Sequence, residues 1–291
     1  MSSTIGRQEP SPVSKLPRFH TTEGDDAAFL AEGYGLKPDP WQKLFLDHTM
    51  GRDAKGRMTC TQACLSLARQ NGKSAIIEVI ELYHMIVLGR KVLHTAHEVR
   101  TARAAFLRLC SFFESSAYPE LQEMVEHIRR ANGQEEIKLK NGGSVQLGAR
   151  SQGAGRGFTV DTLIMDEAQD LGDESLAALL PTISSAPSGE PQQIIVGTPP
   201  TTKSDSEVWR RLRDSAMEGK NKRSMWCEWS APETDGPIEL SDPEVWAYAN
   251  PSLGIRLRHE VIEDELSAME PGVFMRERLG MWSFAGERSV I

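Results

Sequence analysis

An apolar, strand-like run, Thr59–Leu67, leads into Ala68-Arg69-Gln70-Asn71-Gly72-Lys73-Ser74, and an apolar helical run, Ala75–Leu88, follows. This succession restricts the fold more than any other feature of the chain. A glycine at the end of such a turn lets backbone N–H groups approach an anion. The helix that begins near Lys73 points its positive end at the same place. The phosphate-loop pattern GxxxxGK[ST] is met at Gly72, Lys73 and Ser74, while Leu67 stands where its first glycine is expected. Lys73 is then expected to neutralise β- and γ-phosphate oxygens of ATP, and Ser74 to ligand Mg²⁺. Arg69, Gln70 and Asn71 complete the loop. From there the Arg69 guanidinium could reach the γ-phosphate as an arginine finger of the same subunit, or pair with a carboxylate.

A Gly-Lys-Ser turn alone is a weak signal, and a second segment strengthens it. Asp161–Met165 reads as a buried strand and ends in Asp166-Glu167. Asp166 is expected to hold Mg²⁺ beside Ser74, and Glu167 to polarise the attacking water. The following Ala168-Gln169 completes a DEAQ string similar to those of DEAD/DEAH helicase and translocase motors. Gln42, beside Trp41, stands where such motors place an adenine-reading glutamine, although a helix-surface residue reads equally well. Gln192–Val196 is a further strand. It runs into Gly197-Thr198-Pro199, where Thr198 could sense the γ-phosphate and couple hydrolysis to movement.

Around these motifs the chain alternates strands and helices, which implies a mostly parallel sheet covered on both faces. Pro40 sits in the first turn of a helix opening at Asp39. Lys91–Ala96 reads as a strand, and Val99–Ser115 and Leu121–Arg130 read as helices. Ile137–Leu139 and Ser144–Leu147 flank Asn141-Gly142-Gly143 as a hairpin. Leu176–Leu180 suggests a helix stopped near Pro181, and Met225–Trp229 one more strand. The expected organisation is an N-terminal arm over 1–33, mobile or wrapped on the surface, an ATPase core over 34–202, and a small lid or linker subdomain over 203–291. The last stretch holds five of the six tryptophans.

Composition narrows the partners. The net charge of −8 argues against a simple DNA-coating module. The N-terminus lacks an apolar core of the kind a secretory signal needs, and no apolar run is long enough to span a bilayer. Cys60 and Cys64, spaced to share one strand face, Cys110 and Cys227 form no zinc pattern and read as buried free thiols in a reducing cytoplasm.

Several strings together resemble the large terminase subunit, the DNA-packaging ATPase of tailed double-stranded DNA bacteriophages. They are Ala68–Ser74, Thr95-Ala96-His97 with Ala105-Phe106, Arg150-Ser151 through Gly155-Arg156-Gly157-Phe158, Gly197-Thr198-Pro199, Ala249-Asn250-Pro251 and Arg278–Trp282. The resemblance runs from about Pro38 to Trp282, and in that family the missing first glycine of the loop is usual. It implies a RecA-like α/β P-loop core with a small C-terminal lid. It also implies a ring, commonly a pentamer, that is docked on the portal protein, works with a small terminase subunit and double-stranded DNA in the host cytoplasm, and has no membrane association. The family often uses an arginine from a neighbouring subunit, a part open here to Arg156, Arg150, Arg129 or Arg130. Its usual nuclease domain would begin where this chain stops, so no DNA cleavage is expected from it. Lys138, Lys140, Arg100 and Arg103 are basic groups near the core, read more readily as solvated surface than as a DNA grip. The alternative, a DEAD/DEAH-like helicase, would need a second RecA domain, and residues 203–291 are too few for one.

Overall fold

A computed structural model of the chain describes residues 4–150, 157–201, 206–232 and 238–282. The elements run β1 (Thr21–Thr22), α1 (Gly24–Gly33), α2 (Pro40–Thr49), β2 (Gly51–Arg52), β3 (Gln62–Ser66), α3 (Lys73–Ile86), β4 (Lys91–Ala96) and α4 (Val99–Glu114). There follow α5 (Pro119–Met124), β5 (Val125–Arg129), β6 (Glu136–Leu139), β7 (Ser144–Ala149), β8 (Thr162–Met165), α6 (Asp173–Leu179), β9 (Gln192–Gly197), α7 (Glu207–Met217) and β10 (Ser224–Glu228). The last elements are α8 (Pro243–Ala249), α9 (His259–Ala268) and α10 (Pro271–Glu277). Among the described residues no helix is long and apolar enough to cross a membrane.

Eight strands form one sheet in the order β10-β3-β9-β8-β4-β7-β6-β5. The first six run parallel, and the hairpin strands β6 and β5 continue the sheet antiparallel. Strand alternation divides the core in two. Ala63, Leu65, Ile164, Ile194 and Val196 face the layer of α1, α2, α3 and α4. Cys64, Leu163, Met165 and Ile195 face the layer that holds Leu179, Val208 and Trp209. The expected parallel α/β sheet with two covered faces is therefore present. Phosphate-loop strand β3 and acidic strand β8 are separated by β9 alone, and all three end at the same rim.

Four expectations need correction. The single helix expected over Leu121–Arg130 is a short helix, α5, that gives way at Val125 to the edge strand β5. Val125 and Ile128 have helical spacing, yet Ile128 pairs with Ile137 across the sheet. Within the arm expected over 1–33, residues 24–33 form α1, which buries Ala27, Ala28 and Ala31 in the main core. The boundary expected at 203 cuts the sheet, because β10 pairs with β3 in parallel. A separate small core begins at Ala231 and gathers Trp246, Leu253, Ile262, Phe274 and Met281 under α8, α9 and α10. Finally, Cys60 and Cys64 lie in opposite layers, because β3 starts only at Gln62 and the spacing spans irregular chain. All four thiols are buried and free.

The tryptophans join the C-terminal unit to the sheet. Trp209, Trp226 and Trp282 cluster in tilted and edge-on contacts with centroids 4.6–5.9 Å apart, and Trp229 meets Trp41 edge-on at 5.3 Å. The N-terminal segment wraps over the same seam. The Gly6 N–H donates to the Leu253 carbonyl, Ser11 N–H to Glu228, and Lys15 bridges Trp226. Between the unit and the phosphate loop stands Asn250, fully buried. Its Nδ2 donates to the Trp246 and Arg278 carbonyls at 2.9 and 2.8 Å, and its Oδ1 accepts from Asn71 Nδ2 at 2.9 Å. Asn250→Ala would remove three buried hydrogen bonds and leave the Arg278 carbonyl without its side-chain donor, at a cost of about 2–3 kcal/mol. A urea titration should register this as a lowered midpoint with an unchanged slope, and an unmoved midpoint would contradict the packing described.

Candidate nucleotide site

The phosphate loop leaves β3 at Ser66 and reaches α3 through two left-handed residues, Gln70 (φ 61°) and Gly72 (φ 96°). A side chain at position 72 would be strained, and its Cβ would lie 2.9 Å from Gln42 Nε2, so glycine is required there. Leu67, in place of the pattern's first glycine, is fully buried in the main core, and its N–H donates to the Gly197 carbonyl at 3.1 Å. The loop start is thus built as a continuation of the sheet.

Lys73 opens α3, and its ammonium turns back into the loop. Nζ donates to the carbonyls of Leu67 and Ala68 at 2.7 and 2.9 Å. The stem is partly exposed, but the ammonium is enclosed. Burial depresses its pKa from 10.5 to about 8, with Arg69 adding to the effect and Asp166 opposing it. Asn71, fully buried, braces the loop: Nδ2 donates to the Arg69 carbonyl at 3.1 Å as well as to Asn250.

Ser74 and Asp166 both line a cavity of about 320 Å³ whose opposite wall is α4, with Thr101, Ala105 and Arg108. The two expected metal ligands are therefore brought together. A hydroxyl and a carboxylate are hard oxygen donors that suit Mg²⁺, with water and phosphate completing the shell. Among the described residues no group of three or more His, Cys, Asp and Glu forms a protein-only metal cage.

Asp166 Oδ1 accepts from the Glu167 N–H at 2.8 Å. Glu167 adopts a left-handed conformation, φ 56°, uncommon for a non-glycine residue and costly where it occurs. Its carboxylate accepts from Thr101 Oγ1 at 3.2 Å and from the Glu98 N–H at 3.3 Å, so it sits at the N-terminus of α4. Arg150 donates through Nη1 to the Glu167 carbonyl at 3.2 Å. Its Nε and Nη2 are buried without a hydrogen-bond partner among the described residues, and burial lowers its pKa to about 10. Arg150, one of the candidates for a neighbouring subunit, thus lies against its own chain's acidic strand.

The remaining candidates divide. The Arg69 side chain is mostly exposed and ion-paired with Glu277 at 3.0 Å, the carboxylate alternative raised by the sequence. Arg129 ends β5 and Arg130 follows it, pairing with Glu114; both are exposed, four strands from β8 at the same rim. Arg156 lies outside the described residues. Lys138 pairs with Glu126, Lys140 donates to the Glu123 carbonyl, Arg103 to Asn132, and Arg100 stays exposed beside Glu98. Gln42 is buried at the start of α2. Its Oε1 accepts from the Asp39 N–H at 2.8 Å and its Nε2 donates to the Gly72 carbonyl at 3.0 Å. It also lines a second cavity, of about 300 Å³, with Leu36, Leu46, Ile76 and Val79. Thr198 is buried, with its N–H donating to Gln169 Oε1 and its carbonyl accepting from Trp209 Nε1, each at 3.1 Å.

Sequence reasoning left several residues without a role. Gln169, inside the DEAQ string, bridges the acidic strand to Thr198. Ser252 donates through Oγ to the Asn71 carbonyl at 2.9 Å. Arg278 donates to the Arg69 carbonyl at 3.1 Å and pairs with Glu265 at 2.5 Å. The signal for Asn250 and Arg278 was present in the strings Ala249-Asn250-Pro251 and Arg278–Trp282, which pointed to a family but carried no chemistry of their own.

A glycine-turned loop with Lys73 and Ser74, faced across one strand by Asp166 and Glu167, gives the layout of a P-loop core of RecA-like fold. More particularly, the chain is similar to the large terminase subunit of enterobacteria phage HK97, with 26% identity over 233 residues, 76% of this chain and 42% of that one. The match therefore spans less than half the length of that relative. No family model matches it. The crystal structure of the HK97 large terminase superposes with a TM-score of 0.73 at 21% identity, over 89% of this chain and 55% of the other. The large terminase ATPase domain of Thermus phage P74-26 gives 0.56 at 17%, over 88% and 98%. A large terminase from a thermophilic bacteriophage, in complex with ADP, gives 0.53 at 14%, over 78% and 49%.

The Lys73 environment has a pH signature. Below about pH 8 the amine is protonated in folded and unfolded chains alike, and the burial penalty is complete. Between there and 10.5 only the unfolded chain keeps the proton, so stability should rise with pH. Relative to Lys73→Met, the wild type should gain up to about 1.4 kcal/mol per pH unit between about pH 8 and 9.5 in chemical denaturation. A constant difference would mean that the ammonium is not enclosed.

Proposed function

We propose that this chain is the ATP-hydrolysing motor domain of a phage terminase large subunit, driving double-stranded DNA into a procapsid. The observation that carries the reading is the convergence of Lys73, Ser74, Asp166 and Glu167 at the C-terminal rim of β3 and β8. The similarity to the HK97 large terminase supports the biological setting.

In this reading the triphosphate enters along the loop's N–H groups and the start of α3. Lys73 leaves the carbonyls of Leu67 and Ala68 for the β- and γ-oxygens, exchanging two neutral acceptors for charged ones. Ser74 and Asp166 would hold Mg²⁺, which would screen the phosphate charge. Glu167 moves off the α4 terminus to orient the attacking water and takes up its proton as general base. Arg69, released from Glu277, approaches the γ-phosphate. Arg156, Arg129 or Arg130 of a neighbouring copy supplies further positive charge in a ring. Gln42 reads the base from the cavity beside the loop. Thr198, held by Gln169 next to the acidic strand, carries the γ-phosphate state into β9 and Trp209. Residues from Ala231 onward act as the lid. The portal protein, the small terminase subunit and DNA are the partners of this reading, and the host cytoplasm its setting.

Steady-state ATP hydrolysis, with and without linear double-stranded DNA, is the test. Lys73→Ala and Glu167→Ala should each lower kcat at least about 100-fold, with Glu167→Ala still binding ATP, and DNA should stimulate the wild type. Variants that hydrolyse ATP as fast as the wild type would refute the assignment.

A further inference from the structure

The cavity beside the phosphate loop has walls from two parts of the molecule. Leu36, Gln42, Leu46, Ile76 and Val79 supply the sheet-side wall, and Arg256 of the C-terminal unit supplies the other. Arg256 is not simply a surface cation that falls there. The N–H groups of Ile255, Arg256 and Leu257 all donate to the Ser252 carbonyl at 2.9–3.1 Å, closing a tight turn. Ser252 is itself fixed to the loop, its N–H donating to Asn71 Oδ1 at 3.2 Å and its hydroxyl to the Asn71 carbonyl. The turn that carries Arg256 is therefore anchored on the residue beside Gly72.

The guanidinium is held by one nitrogen. Nη2 donates to the Lys37 carbonyl at 2.9 Å and to Asp39 Oδ1 at 3.0 Å, with Gln42 Oε1 at 3.4 Å. A Cβ at Gly72 would lie 3.5 Å from Nη1, so the guanidinium sits at the junction of cavity and loop. The cavity is apolar on its sheet side, about 300 Å³ in volume, and adjoins the loop that would take a triphosphate. A flat, weakly hydrated guanidinium with donors to spare suits an aromatic heterocycle, which offers a π-face and acceptor nitrogens.

We propose that Arg256 is a nucleotide-binding residue contributed by the C-terminal unit, closing the base cavity over a purine nucleoside. Binding of the base then draws on both halves of the molecule, and the nucleoside, not only the phosphates, favours the docked position of the turn 252–257. This rests on the reading of the phosphate loop as an ATP site.

The test compares MgATP with magnesium tripolyphosphate, which has a phosphate chain and no nucleoside. Binding of each is measured by calorimetry to wild type, Arg256→Ala and Arg256→Lys, with thermal melts to confirm folding. Arg256→Ala should weaken ATP about tenfold or more and leave tripolyphosphate within about twofold. Arg256→Lys should recover only part of the ATP loss, since a point charge replaces a planar fork. Equal weakening of both ligands would assign Arg256 to support of the loop and overturn the proposal, as would unchanged ATP binding. A wild type that bound neither ligand would instead remove the ATP-site reading, and this proposal with it.

Discussion

Asn71 keeps the phosphate loop in shape. The loop passes through two left-handed residues and turns the carbonyls of Leu67 and Ala68 inward, toward the Lys73 ammonium. Such a backbone holds together only where its polar groups are answered. The buried Asn71 amide answers the Arg69 carbonyl, and its oxygen and its own carbonyl take the N–H and hydroxyl of Ser252. Because the amide is also bonded to Asn250, the loop cannot relax independently of the C-terminal unit. The loop's geometry and the docking of α8, α9 and α10 meet in this one buried contact.

Two routes consequently lead away from the phosphates. One runs through the sheet, where Gln169 joins the acidic strand to the Thr198 backbone and Thr198 meets Trp209 on α7. The other runs from Asn71 through Asn250, Ser252 and Arg278 into the small core of α8, α9 and α10. Each is a contiguous path of hydrogen bonds, and in the proposed motor a change at the γ-phosphate would bias both. The strained backbone of Glu167 stands where the first begins, with its carboxylate parked on α4 and its carbonyl held by Arg150.

What could be read from the sequence was local. The glycine turn before Lys73, the acidic end of β8, the Asn141-Gly142-Gly143 hairpin and the proline-opened α2 each announce themselves within a few residues, because turn and cap chemistry is short-range. Strand β10 was legible as a strand, but not its partner β3, which lies far away in sequence. The 121–130 segment misled because Val125 and Ile128 fit a helical stripe, while the pairing with β6 that makes it a strand is tertiary. The site followed the same division. Lys73, Ser74, Asp166 and Glu167 are motif residues, whereas Asn250, Ser252 and Arg256 matter through contacts some 180–220 positions away. Arg150 could be recognised as a candidate cation, but only the fold shows that it faces its own acidic strand.

The most direct test of the central claim is a structure of this chain soaked with Mg²⁺ and a non-hydrolysable ATP analogue. The account predicts the triphosphate on the loop at Gly72, the Lys73 ammonium moved from the Leu67 and Ala68 carbonyls to phosphate oxygens, and the metal between Ser74 and Asp166. A nucleotide bound elsewhere, or one seated on the loop with Lys73 still on its carbonyls, would contradict it.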